Sequence, residues 1–267
     1  TIPKEDYLWS IIFNLGGFNY MSVLIEVDKL TKSFGPFIAV DNISFSLKRG
    51  EVLGFLGPNG AGKTTTMRMI TGFLAPTKGK ISVCGNDVAE NPIEIKEKIG
   101  YVPEGAPLYG EMTVMNFLKF IADVRKIPKN KVDNAIHNAI KKLGLELVLY
   151  QQVETLSKGY KRRVGLSQAI IHDPDVLILD EPTDGLDPNQ KHEVRKLIKE
   201  MASTKAIIIS THILEEVDAV CTRAMIIANG RMVVDKTPKD LLLGAPKGAS
   251  LDDVFRTLTI GNLGEKK

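Results

Sequence analysis

Cysteine is nearly absent: only Cys84 and Cys221 occur in 267 residues, far apart and without the spacing of a metal-ligand set. That scarcity excludes a disulfide scaffold and fits two structural thiols in a reducing compartment. Long hydrophobic runs are missing too, since no stretch reaches the roughly 18 apolar residues that a membrane-spanning helix needs. The nearest candidate, residues 8–18, is broken by Ser10, Asn14, Gly16 and Gly17, and it lacks the basic start and small-residue cleavage site of a signal peptide. Charge of one sign is concentrated nowhere. The 35 basic and 32 acidic residues leave a net +3 and form no basic stripe of the kind that follows a nucleic-acid backbone. Neither an internal repeat nor a low-complexity segment stands out.

What remains, 43% hydrophobic and 25% charged residues, is the composition of an ordinary globular protein, with room for one large α/β domain or a core plus a subdomain. Residue 1 is Thr, and Met21 stands just before the first convincing strand. Residues 1–20 therefore read as an upstream extension or an expression remnant, with an amphipathic membrane contact through Leu8, Trp9, Ile12 and Phe13 as the alternative.

Two kinds of strand are legible. In residues 23–30 and 43–47 apolar and polar residues alternate, with Ile43, Phe45 and Leu47 against Asn42, Ser44, Ser46 and Lys48, which predicts half-buried antiparallel strands. A third short strand, 80–84, follows the turn Pro76, Thr77, Lys78, Gly79, and Asn229 with Gly230 between two apolar runs in 224–235 is a strong hairpin signal. By contrast, residues 52–56, 176–179 and 206–209 are continuously apolar, as in parallel strands buried on both faces. Between residues 105 and 173 the texture turns helical. Val114, Phe117, Leu118 and Ile121 share one face, as do Val132, Ala135, Ile136, Ala139 and Ile140. These helices read either as an inserted subdomain or as a layer covering the sheet.

Directly after the first continuous run comes GPNGAGKT: Gly57, Pro58, Asn59, Gly60, Ala61, Gly62, Lys63 and Thr64, followed by Thr65. Such a glycine-rich turn lets consecutive backbone N–H groups face a phosphate, and the following helix N-terminus adds positive potential. Lys63 would reach the β and γ phosphates of a nucleotide, and the Thr64 hydroxyl would sit where it can ligate Mg²⁺. VLILDEP, residues 176–182, places two carboxylates at the mouth of a buried strand. Asp180 suits the Mg²⁺ shell, while Glu181, on the other side of the extended chain, could hold an attacking water as general base. A plain capping pair at a strand end is the competing reading. In an open α/β sheet ligands bind beyond the carboxyl ends of the strands, so the phosphate loop, Asp180 with Glu181, and Thr211 with His212 should converge.

Together with LSKGY, residues 156–160, followed by KRRVGLSQAII, these motifs make the chain resemble the nucleotide-binding subunit of an ATP-binding-cassette (ABC) transporter over residues 21–259. The resemblance implies a phosphate-loop NTPase of mostly parallel α/β core with an antiparallel β subdomain and an inserted helical subdomain. The expected layout is a cassette over 21–260, with core segments 21–103 and 174–245, helices in 104–173 and a tail from 246 to 267. It implies ATP as substrate with Mg²⁺, and an ATPase. Ser157, Lys158 and Gly159 would clasp the γ-phosphate of ATP held by a second subunit, which anion binding at a helix N-terminus explains. The family pattern has Gly and Gln where this chain has Lys158 and Tyr160. Phe34 stands where the family stacks an aromatic ring on adenine, although a core Phe is the other reading of that position. Asp187, in DGLDP, resembles the residue that signals between paired sites, His212 the histidine that contacts the γ-phosphate and supports the attacking water, and Glu104 a metal-contacting position where the family usually has Gln. With the closing LDDVFRTLT, residues 251–259, the pattern is most similar to bacterial efflux and gliding-type exporter ATPases.

The partners implied are a second copy or homologous subunit in a head-to-tail dimer and an integral membrane permease, on the cytoplasmic face of the cell membrane, without nucleic acid. The alternative is a soluble cassette without a transporter, acting on ribosomes, DNA or cofactor assembly. Against it, only one phosphate loop and one signature are present, and no sustained heptad run.

Overall fold

The structure, a computed structural model, describes residues 22–105, 107–243 and 250–260. The segment 1–20, with the expected contact through Leu8, Trp9, Ile12 and Phe13, lies outside the described residues, as does much of the tail from 246 to 267.

In chain order, β1 (Val23–Phe34) and β2 (Phe37–Lys48) form a hairpin, and β3 (Val52–Leu56) leads through the glycine-rich loop into α1 (Lys63–Ile70). There follow β4 (Lys78–Val83), β5 (Asn86–Asp87), α2 (Pro92–Lys98) and β6 (Ile99–Val102). The central helices are α3 (Val114–Val124), α4 (Lys129–Leu143) and α5 (Lys158–Ile170). The chain then returns to the sheet with β7 (Val176–Asp180), α6 (Pro188–Ala202), β8 (Ala206–Thr211), α7 (Leu214–Val220), β9 (Arg223–Ala228) and β10 (Arg231–Lys236), and ends in α8 (Pro238–Leu243) and α9 (Leu251–Ile260).

Among the described residues the strands make two sheets. One is antiparallel, in the order β2-β1-β4-β5; the other runs β10-β9-β3-β8-β7-β6 and is parallel except for the β9–β10 hairpin. The alternation in β2 is explained by its single buried face, since Ile43, Phe45 and Leu47 point inward while Ser44 and Lys48 are exposed. The continuous runs in β3, β7 and β8 are buried throughout because both faces are covered. Successive residues sort to opposite sides. Val176, Ile178 and Ile208 join the cluster shared with β1, β2 and α1, whereas Leu177, Leu179, Ile207 and Ile209 join the one lined by α3, α4, α5 and α6. At about 1.5–3 kcal/mol per fully buried Leu or Ile side chain, these faces hold the layers together.

Two local details differ from the sequence reading. The third antiparallel strand spans Lys78–Val83, not 80–84, because Cys84 takes a left-handed φ of 51° that ends it. β6 has no counterpart among the expected strands: its four residues contain a glycine and a half-exposed tyrosine, so no apolar run marks it.

Candidate functional site

Strand register assembles the site. β8 lies between β3 and β7, with Leu56 paired to Thr211 and Asp180 paired to Ser210, so three strand ends emerge side by side at the carboxyl edge of the parallel sheet. Each is followed by residues singled out in the sequence: Gly57 after β3, Glu181 after β7 and His212 after β8.

The loop between β3 and α1 is shaped by close packing. Gly62, at φ 104°, caps α1 in a conformation that favours glycine, and a Cβ there would lie 2.5 Å from the Ala39 carbonyl oxygen. A Cβ on Gly57 would collide with the Ile227 carbonyl oxygen. The loop is also tied to the Asn229–Gly230 turn of the β9–β10 hairpin, where the Gly230 N–H donates to the Ala61 carbonyl at 3.1 Å. Lys63 is buried and its Nζ donates to the Gly57 and Pro58 carbonyls at 2.7 and 3.2 Å. Burial pushes its ammonium below the ordinary lysine range, against the attraction of Glu181, Asp180 and Glu104.

Opposite the loop stands Asp180, 1% exposed and held at both oxygens. Thr64 Oγ1 donates to its Oδ2 at 3.1 Å, and Ser210 Oγ donates to Oδ1. A buried carboxylate without partners would be costly, and these hydroxyls satisfy it. Ser210 is absent from the sequence-based set; its signal is a lone hydroxyl closing an apolar run at a strand mouth. Glu181 does not sit in extended chain, as strand alternation predicts. Its φ is 51°, in the left-handed region, so the backbone turns sharply after β7 instead of alternating sides. The turn carries its carboxylate to His212, whose Nδ1 lies 2.8 Å from Oε2 and 3.0 Å from Oε1.

Asn59 to Thr65, Phe34, Glu104, Asp180 and Glu181 line one cleft of about 370 Å³. Phe34 is 49% exposed, which removes the core-Phe reading of that position. Lys32 Nζ sits 5.2 Å from its ring centroid and donates to the Ala75 carbonyl at 2.7 Å. Phe37, its partner across the β1–β2 turn, lines the cleft as well and is a site residue that the motifs do not mark. The Gly35–Pro36 turn between the two rings is the available cue.

Ser157, Lys158 and Gly159 lie apart from this cleft. Ser157 caps α5 by accepting from the Tyr160 N–H at 3.3 Å, and Ser157 and Lys158 are exposed. Gly159 is buried against the Gln190 carboxamide, which any Cβ there would overlap. Lys158 lines a second cleft with Glu154, Arg162 and Asp184. Asp187 is exposed and caps α6, its Oδ1 accepting from the Gln190 N–H at 3.0 Å. Within one chain, then, the phosphate loop and the α5 N-terminus face different clefts.

Comparison with known proteins bears on the family and the fold. A family model described as ABC transporter matches residues 40–184. A probable multidrug ABC transporter ATP-binding protein of Escherichia coli, YbhF, is 36% identical over 89% of this chain, which spans 41% of that protein. The bacitracin transport ATP-binding protein BcrA of Bacillus licheniformis is 38% identical over 83% of this chain and 72% of its own length. A solved structure of the ATP-binding subunit of an ABC transporter superposes with a TM-score of 0.81 at 31% identity, covering 88% of this chain and 99% of that one. These matches favour the transporter reading over the soluble cassette. A phosphate loop after β3, a carboxylate pair at the end of β7 and a histidine just after β8, the strand between them, lie together at one sheet edge, and the chain belongs to the ABC transporter family as one of its ATPase subunits.

Proposed function

We propose that this chain hydrolyses ATP at the cleft between the phosphate loop and Glu181, as half of a head-to-tail pair that drives export through a separate integral membrane subunit. The observation that carries the chemistry is the Glu181–His212 contact of 2.8 Å, set beside Lys63 and Asp180. Glu181, as general base, takes a proton from water attacking the terminal phosphorus. His212 Nδ1 holds that carboxylate in place. The backbone N–H groups of residues 59–64 and the Lys63 ammonium bind the phosphates, with Lys63 exchanging the Gly57 and Pro58 carbonyls for phosphate oxygens. Phe34, propped by Lys32 on one face, offers its other face to the adenine ring.

The donor set fits Mg²⁺. Among the described residues no group of three or more acidic, His or Cys side chains could hold a metal by itself. This hard ion, however, binds through one or two protein oxygens with phosphates and waters completing the shell. Thr64 and Asp180, already 3.1 Å apart, would supply the protein oxygens, with Glu104 near. The bound ion would neutralise charge developing on the leaving phosphate.

Ser157, Lys158 and Gly159 would close on nucleotide held by the other subunit, with Asp187 at the junction between the two sites. Because ATP is held by both halves only when they are closed, binding favours closure and hydrolysis releases it. Export is supported by the names of relatives that act in multidrug and bacitracin transport. No helix among the described residues is long and apolar enough to cross a membrane, so the passage would belong to the partner, beside which this chain would sit on the cytoplasmic face. Glu181→Gln is expected to bind ATP with wild-type affinity, to lose hydrolysis and to accumulate a dimer. Unchanged turnover would overturn the assignment of the base.

A further inference from the structure

Among the described residues Glu181 is one of seven non-glycine residues with a left-handed φ, a conformation that L side chains keep only where the surroundings hold them. Its peptide is tied on both sides. The N–H donates to the Ser210 carbonyl at 3.0 Å, and the carbonyl accepts from the Asp184 N–H at 3.2 Å. A second donor reaches that carbonyl from a different element: Nη2 of Arg162, in the second turn of α5. Arg162 is only 7% exposed, its Nε has no hydrogen-bond partner, and it does not line the nucleotide cleft. A long, buried guanidinium spanning from α5 to the backbone of one acidic residue is expensive unless that bond does something the fold needs.

We propose that Arg162 is a positioning residue for Glu181. Its guanidinium clamps the Glu181 carbonyl, fixes the left-handed turn after β7 and so aims the carboxylate at the attacking water and at His212. The clamp also attaches the base to α5, whose first turn carries Ser157, Lys158 and Gly159. The Gln190 carboxamide packed on Gly159 is a further contact between the same two segments. These contacts tie residues 181–190 to the start of α5. The inference rests on Glu181 being the base.

The test uses the full chain with three variants. Arg162→Met, which keeps bulk and removes the donors, should lower kcat by about 10- to 100-fold, the cost of a base displaced by roughly 1 Å. Its KM for ATP should stay within about twofold, because no ground-state contact to nucleotide is lost. Arg162→Lys, which retains a donor and a charge, should recover most of the loss. The Arg162→Met, Glu181→Gln double variant should form the ATP-dependent dimer as readily as Glu181→Gln alone. A merely structural role for Arg162 in α5 would weaken that dimer along with turnover, and either this result or an unchanged kcat overturns the inference. Arg162→Gln takes the place of Arg162→Met if the latter does not fold, with the same outcomes. Should Glu181→Gln itself retain turnover, the base assignment fails first, a result separable from every Arg162 measurement.

Discussion

At the scale of single residues, burial decides what a polar group can do. Asp180 and Lys63 are both buried, yet their surroundings differ. Two hydroxyls accommodate the carboxylate, whereas the ammonium has two loop carbonyls and the more distant pull of three carboxylates. His172 is the opposite case. Its Nε2 lies 3.2 Å from the Ile99 carbonyl, its Nδ1 has no partner, and burial, with the nearby Arg125 charge, pushes its pKa down to about 4 from 6.5. The unfolded chain protonates this histidine near 6.5 while the folded chain resists until about 4. Stability is therefore fully present above pH 6.5 and is lost as pH falls through the window to 4, by up to about 3 kcal/mol. Urea unfolding at pH 7 and pH 5 should show His172→Gln less pH-sensitive than wild type, and parallel pH dependences would refute it.

At the scale of elements, close approach between helix and sheet sets tolerance to substitution. Gly100, in the middle of β6, meets the Ala169 carbonyl of α5 so closely that a Cβ would overlap it and the Leu177 side chain. Gly100→Ala should thus pry α5 from the sheet edge and cost about 2 kcal/mol, read as a lower urea midpoint with unchanged slope. The same contact explains what is and is not legible in the sequence. β3, β7 and β8 announce themselves because both faces are buried, and the motif residues at or just after their ends mark where the site forms. β6 stays hidden because Gly100 is chosen for what it touches, a contact that periodicity does not encode. Strand alternation puts Glu181 in the right neighbourhood for a reason that its left-handed φ invalidates. Arg162 is inconspicuous inside a basic helical stretch, since only tertiary contact separates its buried guanidinium from the half-buried Lys161 and Arg163 beside it. Phe37 and Ser210 carry only faint sequence cues, and register is what places them beside Phe34 and Asp180.

At the scale of the whole molecule, the two halves of the proposed site lie on one chain but not in one cleft. The phosphate loop and Asp180 share one opening, while Ser157 caps a helix exposed elsewhere and Lys158 lines a different cleft. In the head-to-tail pairing proposed above, a second copy supplies what the first cannot bring round to its own nucleotide. The most direct test mixes two inactive variants, Lys63→Ala and Ser157→Glu, and follows ATP hydrolysis. The Ser157→Glu change places a carboxylate against phosphate while remaining compatible with a helix N-terminus. Each variant alone has two defective sites per dimer. A mixed dimer pairs the intact phosphate loop of one chain with the intact α5 N-terminus of the other, so turnover should reappear on mixing. A mixture as inactive as its components would show that each site is completed within a single chain, and would contradict the head-to-tail pairing.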